Sequence, residues 1–225
     1  MSKKKSKRKI IIIAAISIVV LLLAAGGSVF LIMNNEMKEM EALDNGEIIS
    51  GIFAVRSGIS NIFLLKSAEG YIAIDAGVNE AQAKEGLSQL GITSDIVSAV
   101  LLTHSHNDHI GALNLFDKAT VYAAKSSIAD IIISDGKFFE VDGIGVQVIS
   151  APGHADDSVC FLIDGKYLFV GDNLSLKNGV VGLFNSIFNK SDEQQKTDIQ
   201  KLAGLRGVEY VFTAHYGFTD NAVFP

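Results

Sequence analysis

The hydrophobic pattern changes character three times along the chain. Ile10 to Met33 is a run of 24 residues without a charge, long enough to cross a bilayer as a helix. Asn34 to Gly46 is polar and acidic with no apolar period and reads as a linker. From Glu47 onward, short β-branched or aromatic runs alternate with segments of helical period. Runs at 47–55, 61–65 and 71–75, broken by Ser57-Gly58 and Glu69-Gly70, predict hairpin-linked strands, and Asn79 to Leu90 predicts a helix that stops at Gly91. The apolar run Ile96 to Thr103 predicts a buried strand. Beyond it the pattern predicts a strand at 120–123, a helix at 126–133, and strands at 138–141 and 146–150 joined through Asp142-Gly143-Ile144-Gly145. A hairpin follows at 158–163 and 167–170, turning at Asp164-Gly165, then a helix at 192–203 and a strand at 208–213. Pattern alone thus gives one mixed α and β domain over 47–225, large enough to bury a sizeable core.

Charge gives the N-terminal run its meaning. Residues 3–9 carry six basic side chains and no acid, whereas Glu36, Glu39, Glu41 and Asp44 follow the apolar run against one Lys38. This asymmetry predicts a single-pass anchor at 10–33 with residues 1–9 cytoplasmic and the domain outside the cytoplasm. A cleaved signal peptide is the competing reading, given Ala24-Ala25-Gly26-Gly27-Ser28, but cleavage there would leave Val29 to Met33 on a soluble terminus. Setting aside the six basic residues leaves 13 basic against 25 acidic, a net charge of −12, which disfavours a nucleic-acid partner. The lone Cys160 excludes an intrachain disulfide and sits in a strand-like alternation, so it reads as a buried thiol.

The candidate chemistry lies directly after the buried strand, in His104-Ser105-His106-Asn107-Asp108-His109. Residues i and i+2 of an extended backbone point the same way, so His104 and His106 can share one ion. Asp108 and His109 fall where Ile110-Gly111-Ala112-Leu113 suggests the first turn of a helix, so they leave in another direction, which suits a second ion. The chain has five histidines, and the other two, His154 and His215, each follow a strand-like run. A clustered set of imidazoles with carboxylates reads as a metal site.

That six-residue run resembles the H-x-H-x-D-H signature of the metallo-β-lactamase-fold hydrolases. The likeness continues in the order of the later residues, a histidine, a Gly-Asp and a histidine, and spans about residues 48 to 217. It implies a four-layer αββα sandwich and a site for two divalent ions, with zinc as the expected metal. By that resemblance His104, His106 and His154 hold one ion, and Asp108, His109 and His215 the other, with Asp172 bridging. It further implies that Asp75 supports the metal loop from behind, and that a metal-bridging hydroxide hydrolyses a small-molecule ester, thioester, lactone or related substrate, Asp108 taking the proton. His109 and Asp172 depart from one group of β-lactamases, which have arginine and cysteine there, and the ligand set is closer to glyoxalase II and lactonases. The sequence has no counterpart to the helical C-terminal domain of glyoxalase II, so a glutathione thioester is not carried over as its substrate.

Two readings compete with a hydrolase. One is an iron-dependent oxygenase of the persulfide-dioxygenase type on the same fold, and the other is a binding module without turnover. The stretch 173–190 follows Asp172 without a clear element and carries Val180, Val181, Leu183, Phe184, Ile187 and Phe188. It reads either as an apolar flap, with Phe184 and Phe188 touching substrate, or as residues packed on the sandwich or near the membrane.

Overall fold

The computed structural model of the chain describes residues 22, 26–28, 31, 34, 38, 40 and 42–225. Met40 to Pro225 form one compact unit. The basic flank at 1–9 and most of the 10–33 run lie outside the described residues. Among those described, no helix is long and apolar enough to cross a membrane.

Fifteen short strands among the described residues frame the compact unit. The first sheet holds seven in sequence order: β1 (Gly46–Ile49), β2 (Ile52–Ser57), β3 (Ser60–Lys66), β4 (Tyr71–Ile74), β5 (Val97–Leu101), β6 (Thr120–Ala123) and β7 (Ile131–Ile132). Its first four strands are antiparallel and β4 to β7 are parallel. The second sheet is built from β8 (Phe138–Val141), β9 (Ile144–Ser150), β10 (Val159–Ile163), β11 (Tyr167–Phe169), β14 (Tyr210–Phe212) and β15 (Phe218–Thr219). Its order is β15-β14-β11-β10-β9-β8, with only β11 and β14 parallel. A separate hairpin joins β12 (Ser175–Lys177) to β13 (Val180–Gly182). The α-helices of this unit, among the described residues, are α1 (Glu80–Gln89), the single turn α2 (Asn107–Ile110) and α3 (Asp192–Ala203).

Strands buried on both faces explain why the sequence shows continuous apolar runs rather than strict alternation. In β3, Phe63 and Leu65 join the cluster shared by the two sheets, while Ile62 and Leu64 join the outer cluster with Ala83 and Leu87 of α1. In β10, Val159, Phe161 and Ile163 face inward, while Cys160 and Leu162 meet Ile199 and Leu202 of α3. Three hydrophobic layers between four layers of structure make the expected αββα sandwich. Its middle is pinned by Phe169 stacked on Phe212 at 4.4 Å, with Phe63 of the facing sheet 5.4 and 5.5 Å away. Both long helices begin at side-chain caps: Asn79 accepts from the Gln82 N–H, and Ser191 from that of Gln194.

The helix expected at 126–133 does not form. Residues 126–128 are a turn, and Ile131–Ile132 pair with β6 as an edge strand. Eight residues are marginal for a helix, and here Asp130 ties the segment to β6 instead, its carboxylate accepting from the Val121 N–H and its own N–H bonding the Val121 carbonyl. The run at 47–55 divides into β1 and β2 at Ser50-Gly51, where Gly51 has φ +80°.

Candidate metal centre

Each of the sequence-derived candidates, Phe184 and Phe188 apart, lies just past the C-terminal end of a strand, at one edge of the sandwich. Asp75 follows β4, the His104 to His109 loop follows β5, His154 follows β9, Asp172 follows β11 and His215 follows β14. Strand ends of both sheets meet there through backbone bonds, the Val159 N–H donating to the Thr103 carbonyl at 2.8 Å and that of Asn61 to Ala214 at 2.9 Å. Gly171 has φ +55°, and a Cβ there would lie 2.5 Å from Thr103 Oγ1. Glycine therefore permits both the turn and the close approach that bring Asp172 under the metal loop.

The side chains fall into two groups whose potential ligand atoms lie within 4.8 Å of one another: His104, His106 and His154, and Asp108, His109, Asp172 and His215. All are buried except half-exposed Asp108 and exposed His106. Asp172 faces both groups. Its Oδ1 is 3.2 Å from Nε2 of both His109 and His215, while Oδ2 is 3.4 Å from His154 Nε2 and 3.9 Å from His104 Nε2. Asp108 Oδ2 lies 3.3 Å from His215 Nε2.

Outward partners fix which ring nitrogen faces inward. Thr103 Oγ1 donates to Asp75 and so accepts from His104 Nδ1, 3.2 Å away. His109 Nδ1 meets Asp75 Oδ2 at 2.8 Å, His215 Nδ1 meets the Ile59 carbonyl at 2.8 Å, and His154 Nδ1 meets Asn189 Oδ1 at 3.2 Å. These four rings turn Nε2 inward, whereas His106 presents Nδ1, 3.0 Å from His154 Nε2. The Nε2 atoms of His104, His109 and His215 and Oδ1 of Asp172 are buried without a hydrogen-bond partner. Orphaned buried donors and acceptors that converge are costly unless something they all ligate sits between them. The donor set of five imidazoles and two carboxylates fits divalent transition metals, with Asp172 able to touch two at once.

Electrostatics bind the cluster further. Burial works against an ionised Asp172, yet His215 and His109 hold its carboxyl well below the ordinary range. Burial likewise opposes protonation of His215, but Asp172 and Asp108 lift it to about 10. Asp172 and then Asp75 raise His109 against the same penalty. Burial, with His109 beside it, depresses His104, and burial lowers His154 despite Asp172.

A sequence model described as the Metallo-beta-lactamase superfamily matches residues 55–131, which include the His104 to His109 loop. A structure of a metallo-beta-lactamase family protein from Thermus thermophilus superimposes with a TM-score of 0.64 at 20% identity, covering 78% of this chain and 76% of that one. The fold is that of the metallo-β-lactamases. Among curated relatives, a hydroxyacylglutathione hydrolase from Francisella philomiragia is 34% identical over 57% of this chain and 53% of its own length. An atrochrysone carboxyl ACP thioesterase from Claviceps purpurea is 30% identical over 51% and 40%. The chain is thus similar to these two hydrolases over part of their length, spanning about two fifths to one half of it.

A cleft of about 720 Å³ opens beside His106 and His154, walled by Ser105, Ala124, Lys125, Asp156, Phe188 and Lys190 among others. Of the two aromatics expected to touch substrate, Phe188 lines it. Phe184 does not: it is 3% exposed and packs edge-on against His154 with ring centroids 5.0 Å apart, so it supports a ligand from behind. The stretch 173–190 is neither flap nor helix throughout, but the β12–β13 hairpin followed by a loop that forms one wall of the cleft. Three residues at the site escaped the sequence reading. Thr103 sits at the end of a plain apolar run, while Asn189 and Gln195 become important only through contacts distant in sequence.

Proposed function

We propose that the chain is a metal-dependent hydrolase with a dinuclear centre, zinc by expectation, acting on a small ester, thioester or lactone. The observation that carries this reading is the position of Asp172, one carboxylate oxygen toward each ligand group. His104, His106 and His154 would hold one ion, and Asp108, His109 and His215 the other. Two such ions acidify a water between them and polarise the oxygen of the bond to be cleaved. Asp108 is the half-exposed carboxylate of the set, and burial notwithstanding, the neighbouring imidazoles of His215, 3.3 Å away, and His109 keep its pKa low. It is therefore ionised at neutral pH and placed to accept the proton released as the nucleophile attacks. Thr103 and Asp75 hold the His104 and His109 rings in place throughout.

The cleft supports the substrate class. Lys125 and Lys190 are matched by Asp156 and Asp157, and Lys190 pairs with Asp156. A balanced lining beside apolar Phe188, Ala124 and Ala155 suits a neutral or weakly charged acyl compound better than a polyanion. The relative named as a thioesterase accords with this.

Metal analysis of protein purified without added metal, paired with a panel of esters, thioesters, lactones and a phosphodiester, tests the proposal. About two zinc per chain with acyl hydrolysis is the expected result. One iron per chain with oxygen uptake would establish the oxygenase reading instead, and full metal loading without turnover would leave a binding module.

A further inference from the structure

His154 is the ligand whose outward partner comes from the cleft wall itself. Its Nδ1 meets Asn189 Oδ1 at 3.2 Å, and Asn189 stands between Phe188 and Lys190, both of which line the cleft. Behind Asn189 lies fully buried Gln195 of α3, and the two amides bond reciprocally, Asn189 Nδ2 to Gln195 Oε1 at 2.8 Å and Gln195 Nε2 to Asn189 Oδ1 at 3.0 Å.

Backbone groups that can act in only one sense fix both amide orientations. The Phe184 N–H can only donate, and it meets Gln195 Oε1 at 2.9 Å, while the Asp172 carbonyl can only accept, from Gln195 Nε2 at 3.2 Å. The Phe184 carbonyl likewise accepts from Asn189 Nδ2 at 3.0 Å, and Asp192 Oδ1 does so at 2.8 Å. Asn189 therefore has its oxygen, and not its nitrogen, turned to His154. An oxygen there requires a proton on Nδ1, which leaves Nε2 free to ligate. A flipped amide would present N–H groups, favour the other tautomer and block the metal-facing nitrogen.

We propose that Asn189, locked by Gln195, is the positioning residue that sets the His154 tautomer for metal binding and joins the cleft wall to the metal centre. This rests on the metal reading above.

The test compares Asn189→Ala with Asn189→Asp in the full-length protein, reading zinc affinity by competition with a chromophoric chelator and unfolding temperature by circular dichroism. Aspartate keeps an acceptor at His154 but loses the donors to Phe184 and Asp192 and adds a charge beside the Asp192 carboxylate. Both variants are expected to unfold at lower temperature. Only Asn189→Ala is expected to weaken binding of one of the two ions, by about ten- to a hundredfold, as loss of a ligand's hydrogen-bond partner does. Equal weakening in both variants, in step with lost stability, would mean a merely structural role and overturn the proposal, as would unchanged affinity in Asn189→Ala. A wild-type protein that binds no metal would instead overturn the metal reading on which this rests.

Discussion

Asp172 and His215 illustrate how single residues here are defined by what competes for them. In the metal-free protein His215, lifted to about 10 by Asp172 and Asp108 against its own burial, contributes stability that is complete below its ordinary value of 6.5 and is lost as pH rises through about 10. A metal ion must displace that proton. Metal affinity is therefore expected to rise with pH up to about 10, while the unfolding temperature of the metal-free protein falls between 6.5 and about 10; titration of both quantities checks the pair. On the proposed dinuclear reading, His106→Ala and Asp108→Ala each remove a ligand from a different ion, and each is expected to reduce kcat/KM at least about a hundredfold while leaving the fold intact, since such groups act as a unit. Retention of more than a tenth of the wild-type rate by either folded variant would sink the dinuclear reading. At this scale the sequence was informative wherever chemistry is local. The six residues from His104 to His109 announce a metal by their types and spacing alone. Asn189 gives no such sign, because an asparagine between Phe188 and Lys190 looks like any loop residue until α3 brings Gln195 beneath it.

Among the elements, α3 carries more of the site than its amphipathic pattern suggests. The His154 loop rests on its first turns, with Asp198 accepting from the Gly153 N–H at 2.7 Å, and a Cβ on Gly153 would fall 2.4 Å from the Gln195 backbone. Backbone cannot yield as a flexible side chain can. Gly153→Ala is therefore expected to displace His154 and lower both the unfolding temperature and zinc affinity, whereas Gly143→Ser, in an open hairpin turn, should spare zinc affinity. The loop after β13 separates its two phenylalanines in the same way. Phe184→Ser removes a buried ring and is expected to cost about 3 kcal/mol or more of stability. Phe188→Ser, on the cleft wall, is expected to change the preference among acyl chain lengths at little cost in stability, as kinetics on a homologous ester series would reveal. The helices α1 and α3 were legible because one buried face imposes a helical period, and β5 and β10 because burial makes their runs almost continuously apolar. The segment at 126–133 was not, since the bonds from Asp130 to β6 that decide its conformation cross between elements.

For the whole molecule, the expectation of an N-terminal anchor with an exported domain stands as a proposal drawn from residues 3–9 and 10–33. The full chain is expected to sediment with membranes, and protein lacking residues 1–39 to remain soluble and bind metal; fractionation and chelator competition examine both. Protection of the domain from protease added outside intact cells would reverse the orientation. The αββα arrangement was legible only through the resemblance carried by the metal loop, because strand order and the pairing of two sheets are long-range facts that no local pattern encodes. One consequence of this arrangement concerns time. The ligands are drawn from the ends of β5, β9, β11 and β14, so the first lies near the middle of the chain and the last, His215, almost at its end. If the proposed ligand sets hold, a growing or refolding chain can assemble neither in full until the two sheets have closed on each other, since each set takes members from both. Metal capture is thus a signal of completion: during refolding, a zinc-responsive dye should report uptake only with the final phase of native fluorescence, and never ahead of it.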